Sequence, residues 1–155
     1  MCIRDSAEAA RLGMPALALC DRDGVYGAVR LHVSGREAGV RALVGCEITM
    51  EDGSVVPVLV ATRAGYRGLC SLLTTAHLRA EKGEGRVAWR ELAEACGGLV
   101  ALTGDEEGPL RRAWLERGPA AAAEAGAVAR DMLRLQRQLF DPAWGGVYQL
   151  SLIHI

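Results

Sequence analysis

A chain of 155 residues is long enough to fold as one domain with a real core. Half of its residues are hydrophobic and a quarter are charged, which excludes a disordered polymer, and no apolar run approaches the ~18 residues that a membrane helix needs. Eighteen basic residues against nineteen acidic ones leave a net charge of −1, so charge alone points to neither nucleic acid nor an acidic partner.

The opening residues 1–13 lack the apolar core of a secretion signal, so a cytoplasmic protein is expected. Residues 6–13 read as the end of an alanine-rich helix stopped by Gly13. Residues 15–21, PALALCD, form a short continuous apolar run, the pattern of a strand covered on both faces. The next stretch carries apolar residues at Val29, Val33 and near Ala38 and stops at Gly39, which predicts a helix. Residues 40–48, VRALVGCEI, predict a second strand, and strand–helix–strand over this length implies a parallel crossover. Asp52-Gly53 then separates two β-rich runs, a hairpin signal.

Tyr66, Leu69, Leu72 or Leu73, and Ala76 recur at helical spacing until KGEG at 82–85 breaks the pattern. A short helix follows in 87–98, and LVALTGD at 99–105 reads as another buried strand. Pro109 starts a helix in its first turn. The alanine-rich residues 119–140 predict a long helix with Val128, Met132, Leu135 and Leu139 as its stripe, and 144–150 predict one more strand. The order is strand–helix alternation throughout, with no internal repeat. Residues 1–6 and 151–155, with His154, resemble translated sequencing-adapter read-through and are expected to be non-native ends of an internal fragment. The domain would then be 7–150.

Three predicted strands end in acids, at Asp21, Glu47 and Asp105, with Asp23 close behind the first. If the strands are parallel, their carboxyl ends share the face that carries the active site in α/β barrels and open sheets. Such carboxylates, brought together, raise one another's pKa or need a cation, and Arg22 supplies one. Each acid is equally an ordinary cap or turn residue for the helix that follows. His32 and His77 sit in helical patterns and read as structural, and nothing near Cys70 would activate its thiol. The five cysteines (Cys2, Cys20, Cys46, Cys70, Cys96) form no CxxC pair and read as reduced thiols. Lys82, Arg86 and Arg90 beside Trp89 make a small basic patch, read as a solvated face.

The run LALCDRDGVYGAVRLHVSGREAGVRALVGCEI resembles the polymerase-and-histidinol-phosphatase (PHP) domain that opens the alpha subunit of bacterial DNA polymerase III. The resemblance continues through LVATRAGYRGLCSLLTTAHL and KGEGRVAWRELAEACGGLVALTGDEEGPL, and its wording is most like the error-prone, translesion branch. It implies an α/β fold, here an incomplete PHP-type (β/α)7 TIM-like barrel lacking its first strand. It also implies a cluster of metal ions on the carboxyl face, bound mostly by histidines, which hydrolyses phosphoesters where intact. Carried over residue by residue, the HxH motif of the first strand would lie before Ser6. The second motif, TDHD or TDHG, reads Cys20-Asp21-Arg22-Asp23, with Arg22 in the place of the ligand histidine. Glu47 keeps the third motif's glutamate. A further ligand histidine falls near Val56 or Pro57 and is lost, and the cysteine after ALTG becomes Asp105.

A guanidinium has no lone pair and stays protonated, so it cannot coordinate a metal, yet it can neutralise carboxylates by bidentate hydrogen bonds. The expected site is therefore a degenerate one, Asp21, Arg22, Asp23, Glu47 and Asp105, with Arg22 pairing with Glu47, Asp105 or Asp23. No cofactor is expected on this segment, and no catalytic residue. If any metal binds, Asp21, Glu47 and Asp105 would hold it. The expected parent is a DNA-directed DNA polymerase that takes DNA and deoxynucleoside triphosphates, uses Mg²⁺ at a site outside this chain, meets other polymerase subunits and no membrane, and serves replication and repair. The alternatives are an active metal-dependent PHP phosphoesterase or 3′–5′ exonuclease, and a non-catalytic α/β binding domain.

Overall fold

The first two acid-tipped runs pair side by side. In a computed structural model of the chain, which describes residues 2–121, β1 (Ala16–Arg22) and β2 (Arg41–Thr49) are parallel neighbours joined by helix α2 (Ala28–Ala38). Parallel strands cannot be joined by a tight turn, so a helical crossover is what the pairing demands. Helix α2 ends at Gly39, whose φ of 73° is the left-handed conformation that glycine adopts without strain. Helix α1 (Cys2–Arg11) lies on α2, where the buried hydroxyls of Ser6 and Ser34 share a hydrogen bond of 2.8 Å.

The connection after β2 is too short for a crossover and folds back. Asp52-Gly53 turns the chain, with the Met50 amide donating to the Ser54 carbonyl at 2.8 Å, and β3 (Val55–Val60) runs antiparallel to β2. After helices α3 (Arg63–Leu78) and α4 (Trp89–Ala95), β4 (Leu99–Ala101) pairs antiparallel with β3, giving the order β1-β2-β3-β4. Helix α5 (Pro109–Arg117) follows, with Pro109 in its first turn. The fold is thus mixed α/β on a four-stranded sheet. The expectation of strand–helix alternation throughout is corrected at the hairpin, because β3 enters without a preceding helix. Even so, β1, β2 and β4 point the same way, and their carboxyl ends share one edge of the sheet.

The main core lies between the sheet and the helices of one face. Cys46 and Ile48 of β2 and Val56 and Val58 of β3 meet Leu69, Leu72, Leu73 and Ala76 of α3 and Leu92 of α4. Each valine, leucine or isoleucine among them contributes about 1.5–3 kcal/mol by leaving water. The stripe predicted for α3 is this one, except that Tyr66, in the first turn, stays 39% exposed. The stripe predicted for α2 is corrected. Val29 and Val33 are exposed at 76% and 50%, whereas Leu31, Ser34 and Gly35 face inward. The reason is close approach: a Cβ on Gly35 would lie 2.8 Å from the Val40 carbonyl oxygen, so α2 rests on β2 through its smallest residues.

Strand β1 is also less enclosed than its apolar run implied. Every residue from Ala16 to Asp21 is only part-buried; α2 packs against one face, and Cys20 and Arg22 belong to the second. On that second face Gly45 keeps the surface flat; a Cβ there would meet Cys20 Sγ at 2.4 Å and Leu59 Cδ2 at 2.9 Å. Strand β4 is only three residues long. The predicted helix beyond Ala121, the predicted strand at 144–150 and the tail 151–155 lie outside the described residues. Among the described residues no helix is long and apolar enough to cross a membrane.

Candidate functional site at the carboxyl edge of the sheet

Alternation along β1 sends neighbouring site residues to opposite faces. Asp21 turns toward the helices, where its carboxylate accepts from the Gly27 amide at 2.7 Å and so ties down the entry of α2. Arg22 turns to the open face and stands beside Glu47, its register partner on β2. Arg22 Nε donates to Glu47 Oε2 at 3.1 Å, and the Glu47 side chain is only 11% exposed. Of the three partners that the sequence offered Arg22, the structure pairs it with Glu47.

Asp23 holds this arrangement in place from behind. Its φ of 50° is left-handed, a conformation that costs most residues about 1–2 kcal/mol and that Asp tolerates better than most. Four hydrogen bonds fix it there. The Asp23 amide donates to the Glu47 carbonyl at 2.8 Å, and its carboxylate accepts from the Thr49 amide at 2.7 Å and the Thr49 hydroxyl at 2.6 Å. His77 Nε2 donates to the Asp23 carbonyl at 2.8 Å, so this histidine is a latch from α3 onto the β1 loop. His32 is exposed on α2.

The loop after β4 supplies a residue that sequence reasoning missed. Asp105 closes a turn in this loop: its Oδ1 accepts from the Glu107 amide at 3.0 Å, the turn-forming habit of aspartate. That turn swings Glu107 outward, and Arg22 Nη2 donates to Glu107 Oε2 at 2.5 Å. The loop is fastened over the sheet edge, because the Val55 amide donates to the Glu107 carbonyl at 2.9 Å and the Leu102 amide to the Pro57 carbonyl at 2.8 Å. Arg22, Glu47 and Pro57 form one lateral row across β1, β2 and β3. The available signal was the spacing of GDEEGPL, where an aspartate that closes a turn two residues on presents the next acid but one.

The electrostatics follow from this row. The Arg22 pKa is raised, first by its hydrogen bond to Glu107 and then by the charges of Glu107 and Glu47, against an opposing loss of hydration. Cys20, on the same face, has its thiol pushed up to about 11, mainly by burial and then by the charges of Glu47 and Asp21. Burial likewise pushes Cys46 up to about 12. Both thiols are therefore protonated at neutral pH and poor nucleophiles. The predicted basic patch is partly committed elsewhere: Trp89 Nε1 donates to Asp52 Oδ2 at 3.0 Å, across to the β2–β3 turn.

Asp21 and Asp23 are occupied by backbone amides and Thr49, and the two glutamates face a guanidinium. Among the described residues no three His, Cys, Asp or Glu side chains gather so as to hold one.

Fold and site together define a mixed α/β protein whose co-directional strands present acids at one edge. The chain belongs to the PHP domain family, whose pattern matches residues 6–140. Among curated proteins it is similar to the error-prone DNA polymerase of Pseudomonas fluorescens, at 42% identity over 108 residues, covering 68% of this chain and 10% of that protein. It is also 42% identical over 130 residues to the error-prone DNA polymerase of Mycobacterium bovis, covering 76% of this chain and 12% of that protein. The enzyme of the same name from Pseudomonas aeruginosa is 38% identical over 115 residues, covering 73% and 11%. The chain thus spans about a tenth of the length of these relatives.

Proposed function

We propose that this chain is the PHP segment of an error-prone DNA polymerase of the DNA polymerase III alpha type, and that the segment itself supports the enzyme without catalysing a reaction. The parent would extend a primed DNA strand in the cytoplasm with deoxynucleoside triphosphates, using Mg²⁺ at a site outside this chain. It would serve translesion repair and contact other polymerase subunits. The described sheet would be part of a PHP-type barrel lacking its first strand. Asp21, Arg22, Asp23, Glu47 and Asp105 would then mark a degenerate metal site, held together by hydrogen bonds rather than by an ion.

The kinship with error-prone polymerases supports the parentage. The single observation that carries the non-catalytic reading is the Arg22 guanidinium on Glu47, at 3.1 Å, with no lone pair to offer a metal. The test is direct. The chain is incubated with Mn²⁺ or Zn²⁺ and either a 3′-labelled DNA strand or a chromogenic phosphate monoester. No release above buffer is expected. Metal-dependent release that is lost on Glu47→Gln would instead establish an active PHP phosphoesterase. Sequence downstream of this segment is expected to encode the carboxylates of a polymerase palm, and its absence would remove the parentage.

A further inference from the structure

Arg22 does more than fill one position. Its two donating nitrogens point to acids from different parts of the fold, Glu47 in β2 and Glu107 in the loop between β4 and α5. Eighty-five residues separate Arg22 from Glu107, and sixty separate Glu47 from Glu107, so this is a long-range tie. The first contact is sheltered, with Glu47 at 11% exposure, and the second is open, with Glu107 at 56%. A guanidinium suits this task because its planar fork donates in two fixed directions, which a lysine point charge does not. Glu107 is carried to the spot by its own backbone, through the Asp105 turn and the bond from the Val55 amide. Take Arg22 away and two carboxylates, one of them buried, share an edge with Asp21 and Asp23 and lack their common cation.

We propose that Arg22 is a built-in structural cation which clamps the β4–α5 loop onto the end of β2 through Glu47 and Glu107, and that it makes the fold indifferent to divalent metal. The proposal rests on the non-catalytic reading of the site and adds Glu107 and the loop clamp to it. The experiment is a set of thermal melts on the 155-residue chain, in EDTA and in MnCl₂, for wild type, Arg22→Gln, Arg22→Lys, Arg22→Gln/Glu47→Gln and Arg22→Gln/Glu107→Gln. Wild type should melt at the same temperature in both solutions. Arg22→Gln should melt about 4 °C lower or more, Arg22→Lys in between, and removal of either glutamate from the Arg22→Gln background should restore part of the loss.

A saturable Mn²⁺ stabilisation of wild type overturns the proposal. So does an Arg22→Gln variant that melts with wild type, or one whose loss neither glutamate substitution relieves. If Arg22→Gln gives no cooperative melt, the Arg22→Gln/Glu47→Gln variant decides, since its folding supports the clamp and its failure to fold rejects it. Phosphoesterase turnover by wild type would defeat the non-catalytic reading separately, by a readout that the melts do not share.

Discussion

Asp23 shows how one residue can set the aim of another. Its left-handed backbone turns the chain immediately after Arg22, and the bond from its amide to the Glu47 carbonyl holds the two strands in register there. Its carboxylate repays the unusual conformation with two short bonds to Thr49. Asp23→Ala would lose both bonds, each to a charged acceptor, and would place a less tolerant residue at φ 50°. A destabilisation of about 2–3 kcal/mol is expected from urea unfolding. Asp23→Asn keeps an acceptor oxygen and the tolerance for this backbone, so it should cost less than half as much. Equal losses for the two variants would show that the carboxylate charge, not the backbone turn, is what the position requires.

At the scale of elements, helices α3 and α4 are joined by a charged pin. Arg79, at the end of α3, donates to Glu91 Oε1 at 2.5 Å and Oε2 at 2.8 Å, and also to the Arg86 carbonyl. Glu91 in turn accepts from the Ala88 amide at 2.8 Å, capping the start of α4. The Arg79 bond, followed by the Ala88 amide, lowers the Glu91 pKa to about 2. Since the folded value lies below the unfolded one of roughly 4.3, the pin's stabilisation is fully present above that pH. It is lost as pH falls from there toward 2. Glu91→Gln should therefore flatten the acid limb of a stability–pH curve between pH 4.5 and 2 while leaving its shape near pH 7 unchanged. An unaltered acid limb would mean that the pin contributes nothing to folding.

The same elements show what could be read in advance. The end of α2 and the hairpin were legible because each is punctuated locally, by Gly39 and by Asp52-Gly53. The inward face of α2 was not, because tight packing on β2 selects Gly35 and Ser34 over the valines that hydropathy favours. At the site, the partnership of Arg22 with Glu47 follows from neighbouring strand ends. Glu107 was hidden for the opposite reason: its approach depends on a turn in one loop and a backbone bond to a strand far off in sequence.

For the whole molecule, the sheet is lopsided. Strands β2 and β3 are flanked on both sides, and Cys46, Ile48 and Val58 at their centre are fully buried. Strand β1 lies at the edge of the described sheet, part-buried along its length, and β4 pairs over only three positions. Backbone amides exchange with solvent according to the free energy needed to open them, so strand position should order their rates. In this chain the β2 and β3 amides should exchange slowest, and those of β1 that face away from β2 should exchange orders of magnitude faster. Hydrogen exchange read by peptide mass or by NMR measures this directly. The barrel reading adds a second condition, since an upstream strand paired to β1 would cover those outward amides. In a longer protein that carries the upstream segment, protection of β1 should rise to the level of β2. If β1 exchanges equally fast in both proteins, no strand is added at that edge, and the four-stranded sheet ends there in the parent as well.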